Sequence, residues 1–181
     1  LLYNTGEHRS QALAMLEDSE QTLWLGTWEC GLQKIDKYTR KTTTYLHPTD
    51  RKGVTHIHSL MEYAPHQLLI GSDDGLLLFN TLTEEYKLFT ENETTPNSLS
   101  NRFVYPIIKD REGGIWIGTY YGGINYISPN AEQFESFSHS RLHNSVNGNV
   151  IGRFCEDAHG QIWIASDDGG LNRYSPEDRK F

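Results

Sequence analysis

Asp110-Arg111-Glu112-Gly113-Gly114-Ile115-Trp116-Ile117-Gly118-Thr119 and Asp157-Ala158-His159-Gly160-Gln161-Ile162-Trp163-Ile164-Ala165-Ser166 are one pattern written twice. An earlier copy reads Asp18-Ser19-Glu20-Gln21-Thr22-Leu23-Trp24-Leu25-Gly26-Thr27. A degenerate copy reads Tyr63-Ala64-Pro65-His66-Gln67-Leu68-Leu69-Ile70-Gly71-Ser72. The small residue after each apolar run (Gly26, Gly71, Gly118 and Ala165) recurs at spacings of 45, 47 and 47 residues. Turn residues followed by a short β-branched or aromatic run describe a strand, and a period in this range describes stacked supersecondary units.

Working outward from that run, each period supplies four short strands. Strand A precedes it, with apolar residues at matching places: Ala12, Met15 and Leu16; Ile57, Leu60 and Met61; Val104, Ile107 and Ile108; Ile151, Phe154 and Cys155. Strand B is the run itself. A Gly-rich turn follows, marked by Gly31, Asp74-Gly75, Gly122-Gly123 and Gly169-Gly170. Strand C is Leu76–Phe79 or Ile124–Ile127, and strand D is aromatic, Tyr86–Phe89 or Phe134–Phe137. No ten-residue stretch carries a helical repeat. The expected fold is all-β: a β-propeller-type array of four four-stranded antiparallel blades at 10–52, 53–99, 100–146 and 147–181, with 1–9 the tail of a preceding or closing blade. Trp24, Trp116 and Trp163 read as fillers between blades, with a sugar-stacking role as the alternative. The small residue two places on lets neighbouring sheets approach closely.

The totals restrict the function classes. A net charge of −8 argues against a nucleic-acid partner, which needs clustered Lys and Arg. No run of 18 apolar residues is present, so no membrane contact is expected within this segment. Cys30 and Cys155 fall at different phases of the repeat and are not expected to pair.

The pattern Asp-x-x-Gly-x-[Ile/Leu]-Trp-[Ile/Leu]-Gly-Thr-x-x-x-Gly-[Leu/Ile] resembles the two-component regulator propeller repeat. It continues through an aromatic strand D into a connector such as Asn97-Ser98-Leu99-Ser100-Asn101, which recurs as Asn144-Ser145-Val146-Asn147-Gly148. In the second repeat Tyr63 replaces the turn Asp and Leu69 replaces the Trp. The resemblance implies a part of a periplasmic propeller, commonly of about seven blades. In that family the propeller stands before a transmembrane helix and a cytoplasmic histidine kinase, and many members are thought to sense glycans in Bacteroidetes. It implies no cofactor, no enzyme activity in the segment itself, and a glycan or oligosaccharide as possible ligand. Other propeller blades, or a second copy, are the expected protein partners. A non-catalytic structural or protein-interaction propeller is the alternative, and a propeller lyase or hydrolase a third reading.

In a propeller the D–A connectors and B–C turns share one face. That face would gather Trp28, Glu29, Asp73, Asp74, Tyr120, Tyr121, Asp167 and Asp168 as the candidate ligand-binding residues. Rings and carboxylates suit sugars, which present apolar C–H faces and hydroxyl donors. The same Asp-Asp-Gly runs also read as ordinary turn chemistry. No catalytic residue is assigned, because two adjacent Asp in one turn do not set the carboxylate separation that glycoside hydrolysis needs. His56 and His58 form an HxH pair on strand A, read as a metal pair with His47 nearby or as solvated side chains, and no metal site is assigned. Residues at the equivalent phase are Leu13, Tyr105 and Gly152.

The chain begins Leu1-Leu2-Tyr3 without Met and without a signal peptide, and reads as a piece of something longer. Phe181 occupies the phase of Phe134, and Leu1-Leu2-Tyr3 placed after it would bring Tyr3 to the phase of Phe137. The expectation is a four-repeat window of a larger propeller rather than a ring closed by its own ends. Such a window should self-associate, as two copies completing one ring, or form part of a larger molecule.

Overall fold

Short β-rich runs broken by Gly, Asp and Asn leave little choice but strands and turns. The structure, a computed structural model, describes residues 11–50, 53–92, 98–129, 134–140 and 144–181. Among the described residues it contains fifteen strands and no helix. The all-β expectation holds. Leu1–Tyr3, which carry the expectation about closure, lie outside the described residues, as does the side chain of Phe134.

The chain divides into two compact units, Leu1–Leu88 and Phe89–Phe181. The first holds two meanders in strand order: β1 (Ala12–Glu17), β2 (Leu23–Thr27), β3 (Leu32–Ile35) and β4 (Thr42–Tyr45); then β5 (Ile57–Ala64), β6 (Gln67–Ser72), β7 (Gly75–Asn80) and β8 (Tyr86–Phe89). The second holds β9 (Val104–Lys109), β10 (Ile115–Thr119), β11 (Ile124–Ile127) and β12 (Phe134–Phe137), and a sheet of β13 (Ile151–Glu156), β14 (Ile162–Ser166) and β15 (Gly170–Tyr174). The fourth sheet thus has three strands among the described residues, where four were expected. Its strand-D phase is reached only at Phe181, just after an isolated Ser175–Lys180 bridge. The Phe181 ring already packs on Phe137 and Tyr174, at centroid distances of 5.5 and 4.8 Å.

Strand A carries a β-bulge at the same place in all four sheets. The register slips between Ala12 and Ala14, between Ile57 and Ser59, between Val104 and Ile107, and between Ile151 and Arg153. A bulge bends its strand and re-aims a side chain. Here that side chain is Leu13, His58, Tyr105 with Pro106, or Gly152.

Within each unit the core lies between successive sheets. Trp24 and Leu32 of the first sheet pack with Ile57, Leu68, Ile70 and Phe79 of the second. Trp116 and Ile124 of the third pack with Ile151, Ile162, Ile164 and Tyr174 of the fourth. Each indole meets a strand-C ring of the next sheet edge-on: Trp24 with Phe79 at 6.3 Å, Trp116 with Tyr174 at 5.1 Å. The approach is close because Gly118 offers no side chain, and a Cβ there would sit 2.6 Å from Ile151 Cγ2. Gly26 stands in the same relation to Ile57. Trp24 and Trp116 are 1% exposed, as expected of fillers. Trp163 differs: it is only half-buried, although the repeat predicts full burial. Among the described residues the fourth sheet has no following sheet in its unit, and Ala165 and Leu171, paired with each other two residues along the strand, are exposed as well.

Candidate ligand-binding face

Three aspartates hold the A–B turns. Oδ1 of Asp18, Asp110 and Asp157 accepts the backbone N–H two and four residues on: Glu20 and Thr22 at 3.1 and 2.8 Å, Glu112 and Gly114 at 3.1 and 2.7 Å, His159 and Gln161 at 2.8 and 3.0 Å. Oδ2 accepts the indole N–H of Trp24, Trp116 or Trp163 at 2.8, 2.8 and 2.9 Å. One carboxylate therefore folds the turn and fixes the ring that fills the core. The second repeat lacks both partners together, with Tyr63 and Leu69 in their places. On the same side, the N–H groups of Ser19 and Arg111 donate to Glu62 and Glu156 of the next sheet at 2.9 and 3.2 Å. The Arg111 guanidinium lies 3.5 Å from Glu156 and donates to the Ala158 carbonyl at 3.0 Å. A cleft of about 300 Å³ opens beneath that stitch, lined by Asp110, Glu156 and His159 among others. Arg111 and Glu156 join the two sheets across it and Asp110 holds its own turn, so we read it as a seam rather than a ligand site.

The opposite turns are built by hydroxyls and carboxylates. Thr27, Ser72 and Thr119 donate to the carbonyls of Gly31, Gly75 and Gly123 at 2.8, 3.0 and 3.0 Å, and Ser166 donates to that of Asn147 at 2.8 Å. Asp74 accepts the N–H and O–H of Thr55 at 2.7 and 2.8 Å. Asp168 accepts the N–H groups of Asn149 and Val150 at 3.0 and 3.1 Å. Those two donors hold the Asp168 carboxyl below the usual aspartate range. Both residues thus latch the incoming connector to the B–C turn, so for this pair turn chemistry has direct support. Asn125 and Asn172 on strand C grip the same connectors, accepting from Ser100 and Asn147 at 2.9 and 2.8 Å.

The first residue of each turn latches only through its backbone N–H, and the side chains of Asp73, Tyr120 and Asp167 stand beside the strand-A bulge. In the second sheet the residue is Asp73. Its Oδ2 bonds His56 Nδ1 at 2.5 Å and its Oδ1 bonds His58 Nε2 at 2.8 Å. A carboxylate can only accept, so both ring nitrogens are the donors. Trp28 stacks on His56 with centroids 3.9 Å apart and planes at 28°, and meets His58 edge-on at 6.3 Å. It remains 42% exposed. In the second unit Tyr105 stacks on Tyr120 at 5.3 Å, and Tyr120 meets Tyr121 edge-on at 4.5 Å, with Tyr121 63% exposed. Asp167 faces Gly152, where a Cβ would lie 3.5 Å from its Oδ1. Glu29 is exposed.

Trp28 and Asp73 are therefore brought together, with the two histidines between them, and Tyr120 with Tyr121. The two histidines converge on Asp73, through Nδ1 of His56 and Nε2 of His58. Among the described residues no group of three His, Cys, Asp or Glu side chains is placed to hold a metal ion. His47 bonds Thr49 at 2.7 Å. Cys30 is buried and Cys155 exposed, both as free thiols. The Trp28–His56–Asp73–His58 grouping was hidden in the sequence, where its members sit at three separate phases of two repeats. The bulge re-aims His58, and the left-handed backbone of His56 brings its ring to the same aspartate.

The sequence model of the two component regulator propeller matches residues 98–121 and 145–168. These two repeats are two-component regulator propeller repeats. Each matched stretch runs from the connector through strand A, the Asp–Trp pair and the first two residues of the B–C turn. No curated protein matches the chain in sequence. Among solved structures, the extracellular domain of a putative hybrid two component system from B. thetaiotaomicron is similar, with TM-score 0.80 and 23% identity over 93% of this chain and 24% of that one. The extracellular domain of a putative one component system from the same organism gives 0.74 and 20% over 97% and 25%. Virginiamycin B lyase from Staphylococcus aureus gives 0.61 and 14% over 93% and 57%. The chain spans about a quarter of the first two structures. At these identities the likeness is one of fold.

Proposed function

We propose that this chain is part of the extracytoplasmic, periplasmic sensing region of a two-component system, and that it responds to a carbohydrate. The signal would pass to a histidine kinase outside this chain. The observation that carries the reading is the pairing of half-exposed rings with hydrogen-bonding groups at the B–C turns. Trp28 lies over His56 beside Asp73, and Tyr121 lies against Tyr120. Sugars bind where an aromatic face meets oriented polar groups. The matched repeats and the similarity to extracellular domains of B. thetaiotaomicron regulators support the setting. No helix among the described residues is long and apolar enough to cross a membrane. The second reading, a face that docks a protein without binding sugar, is favoured by one observation: Asp74 and Asp168 are committed to holding connectors.

A thermal-shift screen of the 181-residue chain against a saccharide panel tests the proposal. The expected result is a higher melting temperature with a saccharide. Trp28→Ala and Tyr121→Ala together should abolish that shift while leaving the unliganded melting temperature nearly unchanged. A flat response to every saccharide, with a protein partner recovered on the B–C turns of either unit, would replace it with the docking reading.

A further inference from the structure

We infer that His56 is an oriented hydrogen-bond acceptor for a hydroxyl of a neutral saccharide, with Trp28 as the platform beside it. The inference rests on the carbohydrate reading above and deepens it by naming one subsite and its chemistry. Three observations carry it.

The first is the tautomer. Asp73 can only accept, and it binds His56 at Nδ1, so a neutral His56 ring keeps its proton there and presents Nε2 as a bare acceptor. The carboxylate fixes ring orientation as well as proton position, because its other oxygen is anchored by His58 Nε2 at 2.8 Å. The imidazole is thus held by a bond at one edge and by the indole on one face, and 28% of its side chain stays exposed. A sugar hydroxyl is the donor such a nitrogen wants.

The second is backbone strain. His56 has φ of 42°, in the left-handed region that a residue with a side chain rarely enters. This conformation places His56 one step before β5, where its ring reaches Asp73 and Trp28 together. The third is the platform. Trp28 gives one face to His56 and is still 42% exposed, an unusual amount for a large ring that already has a stacking partner. Neither the fold nor the turn requires that exposure. By register the other three sheets put Gln11, Phe103 and Val150 where the second has His56, and Leu13, Tyr105 and Gly152 where it has His58. The oriented imidazole is therefore a local property of the second sheet and no product of the repeat. The chain's net charge of −8 favours neutral over sulfated or uronic sugars.

Nitrogen-15 NMR of the histidine rings in the full chain reads the proton position directly. The expected result in the unliganded protein, at a pH where the ring is neutral, is a protonated Nδ1 and an unprotonated Nε2 for His56. A ring protonated at Nε2 instead would overturn the inference before any ligand is added. The probes are methyl glycosides of glucose, galactose and mannose, their β-linked disaccharides, and a sulfated disaccharide. A neutral probe should move the His56 Nε2 resonance and change Trp28 fluorescence. His56→Ala should weaken binding roughly tenfold, the scale of one hydrogen bond and its packing, while His56→Gln, which keeps an acceptor, should restore part of it. Asp73→Asn offers an amide N–H to Nδ1, so it should switch the tautomer and lose affinity without unfolding the chain. Binding that leaves His56 and Trp28 unmoved would sink this subsite and leave the carbohydrate reading standing. Selective binding of the sulfated probe would overturn the neutral-sugar assignment. Silence toward every probe would sink both.

Discussion

Asp110 does two things with one carboxylate: it closes a turn and it aims a tryptophan. The indole N–H would otherwise be a buried donor without a partner, which costs about 1–3 kcal/mol. The two residues should therefore be energetically coupled, and the second repeat, which has dropped both, is what such coupling produces over a sequence. Trp116→Ala is expected to cost roughly 3–5 kcal/mol, because the ring is 1% exposed. Trp163→Ala should cost clearly less, since that ring is half-buried. Asp110→Ala and Trp116→Leu combined should destabilise by about 1 kcal/mol less than the sum of the single changes. Urea unfolding of the four proteins measures the cycle, and strict additivity would show that the indole–carboxylate bond contributes nothing. Both residues were legible in the sequence as recurring letters. Their bond was not, because residues six apart meet only when the intervening turn is folded.

At the scale of elements, strands were readable from their apolar runs and from the Gly, Asp and Asn that bound them. The bulge was not, since it depends on how strand A pairs with strand B and leaves no mark in the composition. That is why His56, His58, Asp73 and Trp28 read as scattered polar and aromatic residues until the register was known. The latches were half-legible: Asp74 and Asp168 read equally well as turn formers or ligand contacts, and the structure commits them to connectors. Asp168 gives this a test. Its pKa is lowered in the folded state by the N–H groups of Asn149 and Val150. The latch is therefore fully present above the ordinary aspartate value of about 3.9 and is lost as pH falls through the lower folded value. The amide resonances of Asn149 and Val150 should titrate below about pH 3.9. In Asp168→Asn they should no longer titrate, and at neutral pH the Val150 amide should exchange with solvent faster. Amides that ignore acid would mean the connector is held by its other bonds, those of Asn172 and Ser166 among them, without the Asp168 latch.

At the scale of the molecule, two-sheet units are not an end in themselves. A blade is a sheet that cannot bury both faces alone, so every sheet looks for a neighbour. In the first unit the Trp24 face of one sheet is covered by Ile57, and in the second the Trp116 face by Ile151. The corresponding face of the fourth sheet carries Trp163 half-buried, Ala165 exposed and Leu171 68% exposed, with Cys155 alongside. Its outermost strand, β15, has no strand paired beyond it among the described residues. An apolar face joined to an open strand edge drives association. The 181-residue chain is therefore expected to self-associate in proportion to concentration, measured by multi-angle light scattering with reductant present to keep Cys155 from cross-linking. Leu171→Lys places a charge on that face and should shift the population toward monomer without lowering the melting temperature, because Leu171 is already exposed. If the unmodified chain stays monomeric at every concentration, the face is not adhesive. If Leu171→Lys associates as strongly as the unmodified chain, the contact lies elsewhere.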